Sequence, residues 1–319
     1  MPKMIAKVRR RALPLACAAM ALPLAAEANA GTPLMWSTTV HLVFGNLLIG
    51  VAEGLMLKLF SPKRKWWACV LLMVAANYIL AWLFAGTALG AVVRIGNWAG
   101  IEHVKLVFWG AVAAAYLFTV VVEAPFVWLA FRGGDNCLKR VVKASFVVQG
   151  ASYVVLFGFY SLLSVTSLLD VKVVDAASMD IPDNLTLKYQ GRNGRWYAGD
   201  LRSREWKETT AANAKDYEEK FGANFRRQVR AIGKESAEWE CELGFWPRQG
   251  IKCSNKKTGK VVKLAFETPF LMWFIDYATQ LPDGKVLFCI LPDQICVADP
   301  GKNQIAVLAR GQKPIVEMK

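Results

Sequence analysis

Histidine is nearly absent from this 319-residue chain, which contains two, and none follows His103. The chain beyond that point therefore lacks the commonest general base and cannot form a Ser–His nucleophile. No H-E-x-x-H, G-x-S-x-G or P-loop sequence occurs, and Cys-x-x-Cys is absent as well. The common hydrolase, metalloprotease, nucleotide-binding and dithiol-oxidase chemistries are therefore not predicted, and we expect neither a cofactor nor a metal ion.

Charged residues are also scarce, at 20% of the chain against about 25% in an average soluble domain. Hydrophobic residues make up 55% and are concentrated in the first half, which excludes a disordered chain and argues against a single soluble globule. The net charge of +14 divides into +4 for residues 1–30, +6 for residues 31–169 and +4 for residues 170–319. Because targeting and membrane orientation explain the first two portions, we expect no nucleic-acid partner.

Residues 1–30 have the pattern of a cleaved secretory signal peptide. Five basic residues precede Ala12, and the apolar segment from Leu13 to Ala25 is short for a bilayer span. Ala28 and Ala30 form the small-x-small pattern of a cleavage site. The alternative is an uncleaved anchor helix with the same orientation. An alanine-rich segment of this kind indicates a bacterial envelope protein.

Four later stretches are each long and apolar enough to cross a bilayer, which takes about 20 residues. They are Leu34–Phe60, Trp66–Val93, Lys105–Phe131 and Val141–Leu169. We therefore predict a four-helix transmembrane domain over residues 31–169, with the lipid bilayer as a partner.

The basic residues between these stretches predict the orientation. The first loop contains Lys63, Arg64 and Lys65, and the third contains Arg132 and Arg140, whereas the second is far less basic. Because Lys and Arg concentrate in cytoplasmic loops, the first and third loops are expected in the cytoplasm. The sequence therefore predicts a multi-pass protein of the bacterial inner membrane with residues 170–319 in the periplasm.

Residues 170–319 have a soluble composition and the alternation of β-strands. Asn193-Gly194 is a hairpin signal, and Ala211–Lys234 is the one helical pattern. The predicted fold class is an α-helical membrane domain plus a mainly antiparallel β (α+β) extracytoplasmic domain. The later strands are predicted at Trp239–Phe245, Gly250–Ser254, Lys260–Phe266, Leu271–Tyr277, Val286–Ile290, Gln294–Ala298, Gln304–Ala309 and Pro314–Glu317.

The cysteines of this region predict disulfides, because an exported domain meets an oxidising compartment. A hairpin turning on Pro292-Asp293 would place Cys289 directly opposite Cys296, at a separation that a disulfide can bridge. Cys241 and Cys253 flank another turn and would form the second pair. Four cysteines allow three connectivities, and free buried thiols are the alternative.

Ionisable side chains at membrane depth are candidates for function. Glu53 lies 7 residues before Phe60 and Glu123 lies 8 before Phe131, so both carboxyls are expected about 10–12 Å from the cytoplasmic edge. Gln149 comes to a similar depth on the fourth span. The other polar candidates within the spans are Asn46, Asn77, Tyr116 and Tyr160.

These polar residues have three interpretations. Structural pairing between helices is the first, since small and polar residues commonly hold membrane helices together. An ion or proton pathway is the second, and catalysis is the third. In the exported domain Glu238, Glu240 and Glu242 alternate along a strand, which is typical of a solvated face.

Three functions are compatible with this organisation. The first is a non-enzymatic inner-membrane envelope protein that anchors a periplasmic binding domain for another protein or envelope component. The second is a small transporter or channel component that uses Glu53 and Glu123. The third is a membrane enzyme acting on lipid or glycan through carboxylates at the outer face.

Overall fold

The computed structural model describes residues 40–83, 100–132, 136–210, 229–232, 238–244, 250–269 and 272–319. The predicted signal peptide with Ala28 and Ala30, and most of the predicted helix Ala211–Lys234, lie outside them. The chain divides into two compact units. The helical unit comprises residues 1–89 and 112–163, and the β unit comprises residues 90–111 and 164–319.

Four long helices account for most of the first half of the chain. A π-helical turn at His41–Gly45 leads into the first helix, and a 3-10 turn at Ile101–His103 leads into the third. By length and composition all four could cross a membrane, with mean hydropathies of 1.7 to 1.9. They are α1 (Asn46–Phe60), α2 (Trp66–Leu83), α3 (Val104–Phe131) and α4 (Cys137–Leu163).

The fourth helix ends at Leu163 rather than at the predicted Leu169. The next residues bond to strands instead: the amide of Val165 donates to Glu267 O at 2.9 Å, and that of Leu168 to Ala265 O at 3.2 Å. The bond of Val165 interrupts the helical pattern before the short helix α5 (Ser167–Asp170), and the bond of Leu168 ties α5 itself to the residue between β8 and β9. The residues after Leu163 therefore belong to the β unit.

Two glycines bring α1 and α2 together. A Cβ on Gly50 would lie 2.6 Å from Val74 Cα, and one on Gly54 would lie 2.4 Å from Val70 Cα. Both distances are too short for any side chain, so the two backbones are in direct contact at these positions. Close approach of this kind is how small residues spaced four apart stabilise a pair of apolar helices.

The β unit is mainly antiparallel. A nine-stranded sheet runs in the order β4-β3-β2-β14-β13-β12-β11-β5, with β1 parallel to β14, and β6-β7-β8 and β9-β10 form two smaller sheets. The strands are β1 (Lys172–Val173), β2 (Leu185–Gly191), β3 (Trp196–Asp200), β4 (Lys207–Thr209), β5 (Arg230–Ala231), β6 (Trp239–Gly244), β7 (Gly250–Asn255), β8 (Val261–Leu264), β9 (Phe266–Glu267), β10 (Met272–Trp273), β11 (Ile275–Gln280), β12 (Val286–Ile290), β13 (Gln294–Asp299) and β14 (Gln304–Met318).

The Asn193-Gly194 hairpin joins β2 to β3 as predicted, with Gly194 at φ 78°. Two other predictions were wrong. Residues 230–231, expected at the end of a helix, form β5, which pairs in parallel with β11. The predicted strands Gln304–Ala309 and Pro314–Glu317 are parts of the single strand β14.

Strand β14 organises the large sheet because its two halves have different partners. Residues 304–310 pair with β13 and residues 311–318 pair with β2. Glycine permits this change of partner, since a Cβ on Gly311 would lie 2.5 Å from Gln190 O. The core cluster packs under this junction and includes Leu185, Leu187, Leu287, Ile295 and Val316. Burial of these aliphatic side chains supplies the main stabilisation of the sheet.

Candidate functional site

The polar residues of the four long helices meet in the interior of the helical unit. Glu53, Asn77, Glu123, Gln149 and Ser152 form the group that we call the carboxyl–amide cluster. Each of the four helices contributes to it, because the apolar side chains of these helices lie outward and leave one polar stripe facing the other helices. Glu53 and Glu123 are each only 1% exposed. Four of the seven intramembrane candidates therefore lie in this cluster.

The Glu53 carboxylate is held by the neighbouring helix. Asn77 Nδ2 donates to Glu53 Oε2 at 2.6 Å and to Met73 O at 3.0 Å. Gln149 and Ser152 from α4 are also neighbours of the Glu53 carboxyl. Three helices therefore meet at this carboxyl, and the close contact at Gly50 and Gly54 is what lets α2 bring Asn77 near it.

The Glu123 carboxylate is held on one side only. Gln149 Nε2 donates to Glu123 Oε2, whereas Glu123 Oε1 is buried with no hydrogen-bond partner among the described residues. The two carboxyls are near enough to interact electrostatically. A buried acceptor without a donor costs about 1–3 kcal/mol, more if charged, so this oxygen is the least satisfied polar atom of the cluster.

A second polar layer lies one turn away along α4. Tyr153 Oη and Thr119 Oγ1 share a hydrogen bond at 2.8 Å, and Tyr116 packs edge-on against Tyr153 at 5.1 Å between ring centroids. Tyr116 Oη itself donates to Phe146 O at 3.1 Å. Tyr116, a predicted candidate, therefore belongs to this second layer together with Tyr153, which sequence reasoning did not single out.

Two predicted candidates lie apart from the cluster. Asn46 Nδ2 donates to Leu42 O on its own helix at 3.1 Å. Tyr160 Oη bonds to His41 Nδ1 in the π-helical turn. A Cβ on Gly45 would lie 2.4 Å from the imidazole carbon Cδ2 of His41, so glycine is needed there to admit the ring. The π-helical turn is thus linked to α4 through His41.

The β unit has its own buried polar group. Gln294 is fully buried, and its Oε1 accepts the amide of Ile101 at 2.7 Å. Arg310 Nη2 donates to Glu102 Oε2 at 3.1 Å, and Arg310 Nη1 lies 3.9 Å from Asp293 Oδ1. These contacts join the turn before α3 to strands β13 and β14. No local sequence pattern indicates them, because the partners are about two hundred residues apart.

The cysteines follow the prediction in one pair and contradict it in the other. Cys241 and Cys253 are directly opposite in the β6–β7 pair, 4.1 Å apart at Cα, and form a disulfide. Cys289 and Cys296 are free and buried. Burial, aided by Asp276 and Asp293, raises the pKa of the Cys289 thiol to about 12, and burial raises that of Cys296 well above its usual range.

The wrong cysteine pairing has a simple geometric cause. The prediction assumed a two-residue turn at Pro292-Asp293, whereas the structure turns over Leu291–Asp293. Cys289 therefore faces Ile295, and Cys296 faces Phe288. Directly opposite residues share a face and successive residues alternate, so the two thiols lie on opposite faces of the sheet.

Two of the alternating acids that the sequence indicated on a solvated face, Glu240 and Glu242, are exposed. Glu242 pairs with Lys252 at 2.9 Å, and Glu240 lies 3.9 Å from Lys256, all of them exposed. Among the described residues there is no group of three or more His, Cys, Asp or Glu placed to hold a metal ion. The carboxyl–amide cluster is therefore the candidate functional site.

Comparison with known proteins assigns no family or function to the chain. No protein-family model matches the chain, and no curated protein and no solved structure is significantly similar to it. The class of protein is thus defined by its architecture: four helices long and apolar enough to cross a membrane, and a separate, mostly antiparallel β unit.

Proposed function

We propose that this chain is a multi-pass protein of a bacterial inner membrane that anchors a β-rich binding domain on the periplasmic side. The outer surface of the helices supports the membrane placement. Leu48, Leu59, Val154 and Leu162 are 68% to 84% exposed, whereas the charged and amide side chains of the cluster are buried. An apolar surface of this extent around a polar interior is favourable in lipid and costly in water.

The single observation that supports the sidedness is the contact of the turn before α3 with the β unit. Ile101 N bonds to Gln294, and Glu102 pairs with Arg310. These bonds support placing the turn Ile101–His103 and the β unit on the same side of the membrane. Since the basic first and third loops indicate the cytoplasm, the β unit is assigned to the opposite side.

Sidedness predicts which thiol an impermeant maleimide can reach. Of the four free cysteines among the described residues, only Cys137 is more than slightly exposed. We expect Cys137 to be labelled only after intact cells are permeabilised, because it begins α4 directly after the third loop, which we propose to face the cytoplasm. A Lys302→Cys variant, changed at an exposed turn of the β unit, is expected to be labelled without permeabilisation.

Mass spectrometry of the labelled chain provides the readout, and the Lys302→Cys chain carries Cys137 as an internal control. Labelling of Cys137 in intact cells, with Lys302→Cys protected, would reverse the proposed orientation. Equal labelling of both positions in intact cells would contradict a membrane barrier between them.

The binding role follows from strand β8, which is paired on one side only, with β7, among the described residues. Its Val261 is 48% exposed, which is unusual for an aliphatic residue on an edge strand. An extended segment of a partner protein could add to this edge through backbone hydrogen bonds, with specificity from alternate side chains.

A photo-crosslinking amino acid at Lys263 of β8 tests this role in the full-length protein in cells. We expect a discrete crosslinked product from this position and none from Lys302, which is also exposed but lies in a turn. Equal crosslinking from the two positions would indicate random encounters and contradict the edge as a binding surface.

The carboxyl–amide cluster favours a second candidate function, a small transporter or channel component. Two acids buried at one level are the kind of group that ion-translocating membrane proteins place in their spans. Flux measurements in proteoliposomes with Glu53→Gln and Glu123→Gln test it. Ion flux that both variants abolish supports transport, and the absence of flux from wild-type vesicles contradicts it.

A further inference from the structure

The carboxyl–amide cluster has more acceptor oxygens than donors. Asn77 Nδ2 donates to Glu53, and Gln149 Nε2 donates to Glu123, but Glu123 Oε1 has no partner among the described residues. An ionised carboxylate can only accept hydrogen bonds, whereas a protonated carboxyl supplies one O–H of its own. A proton bound to one of the two acids would therefore supply the donor that the cluster lacks.

The nearby cations of the helical unit are engaged elsewhere. Lys58 Nζ donates to Pro62 O and Arg64 O, and Arg64 and Arg140 donate to carbonyls at the ends of α3 and α1. Among the described residues neither Glu53 nor Glu123 forms an ion pair. Two buried negative charges without a cation would cost several kcal/mol each, so the pair needs neutralisation from another source.

A separate observation comes from Ser145. Its hydroxyl is buried without a partner among the described residues, and the residue is 2% exposed. Ser145 lies four residues before Gln149, which places both on the same buried face of α4. The inner face of this helix therefore carries a second polar group that the described side chains leave unsatisfied, one turn from Gln149.

We propose that Glu53 and Glu123 form an intramembrane proton-binding site in which the two carboxyls hold one exchangeable proton, carried by Glu123. Uptake takes one proton from the aqueous phase, forms the O–H bond on the Glu123 carboxylate and removes one negative charge. Release restores the carboxylate and returns the proton to water. This inference rests on the membrane placement proposed above, but on neither the binding role of the β unit nor transport.

The ligand is a proton rather than a metal cation because of what faces the acids. The amide groups of Asn77 and Gln149 present N–H donors to the carboxylates, and an N–H group cannot serve as a ligand to a cation. The titratable groups facing Glu123 from other residues are Glu53 on α1 and Tyr153 on α4, and α2 contributes the neutral Asn77. No positive charge among them competes with the proton.

Infrared spectroscopy and carbodiimide labelling of the full-length protein in lipid vesicles test the site. At neutral pH we expect the C=O stretch of a protonated carboxylic acid, lost in Glu123→Gln and retained in the control Glu242→Gln, which changes a solvated acid. We also expect dicyclohexylcarbodiimide, which adds to protonated carboxyls in apolar surroundings, to modify Glu123 and to do so less as the pH rises.

Several outcomes would overturn the proposal. The absence of both the carboxylic-acid band and the label in wild-type protein at neutral pH would show that the pair is ionised. Protection from the label by sodium or potassium at fixed pH would show a cation site instead. Because the wild-type spectrum needs no variant, an unfolded Glu123→Gln leaves the test intact. If the proposed membrane placement is wrong, the maleimide labelling described above will show it independently.

Discussion

Removing the Cys241–Cys253 disulfide with Cys253→Ala is expected to lower the free energy of unfolding of the β unit by about 3 kcal/mol. The bridge closes a loop with a sequence separation of 12, and restricting the unfolded chain over such a loop is worth about that much. Cys253 is also fully buried in the β6–β7 pair, so truncation of its side chain adds a small packing loss. Pulse proteolysis of the full-length protein in increasing urea measures the change.

Cys137→Ala is the matched control, because Cys137 is free and only half-buried. It is expected to leave the urea midpoint of the β unit unchanged. Alkylation of the unfolded protein provides a direct count. Without reductant, Cys241 and Cys253 should be protected while Cys289 and Cys296 react. Protection of all four cysteines would contradict the pairing seen in the structure. Reaction of all four would show that the Cys241–Cys253 disulfide is absent.

The cysteines also show how far sequence reasoning extends in a β domain. Turn signals placed most strands within a residue or two, because proline and glycine interrupt the alternation of apolar residues. An uncertainty of one residue, however, leaves the length of the turn at Pro292 undetermined. A change of one residue moves every side chain to the other face of the sheet, so correctly placed strands still gave a wrong partner for Cys289.

The carboxyl–amide cluster was more predictable than the β unit. Helical spacing and the distance of each acid from a basic loop are enough to place Glu53, Glu123 and Gln149 at one depth. Periodicity could not specify the partner of each acid, since that depends on how the helices rotate and how closely they approach. By helical spacing Asn46 shares a face with Glu53 and Tyr160 shares one with Gln149, but both find partners elsewhere.

Gly54→Ala is expected to destabilise the helical unit by about 3 kcal/mol, or to separate α1 from α2 locally. The added Cβ would lie 2.4 Å from Val70 Cα and 2.7 Å from Val70 N, and both are backbone atoms that cannot rotate away. Overpacking in a filled interior costs about 1–3 kcal/mol, and here a rigid helix must move. Because Asn77 lies on α2, displacement of that helix should also weaken its bond to Glu53.

Gly158→Ala on α4 is the matched control, because nothing lies within 4 Å of a Cβ at that position. Alanine also has the higher helix propensity, so this variant is expected to be neutral or slightly stabilising. Thermal unfolding in detergent, followed by circular dichroism, compares the two variants. Equal midpoints would contradict the backbone contact of α1 with α2, and with it the packing that brings Asn77 to the Glu53 carboxylate.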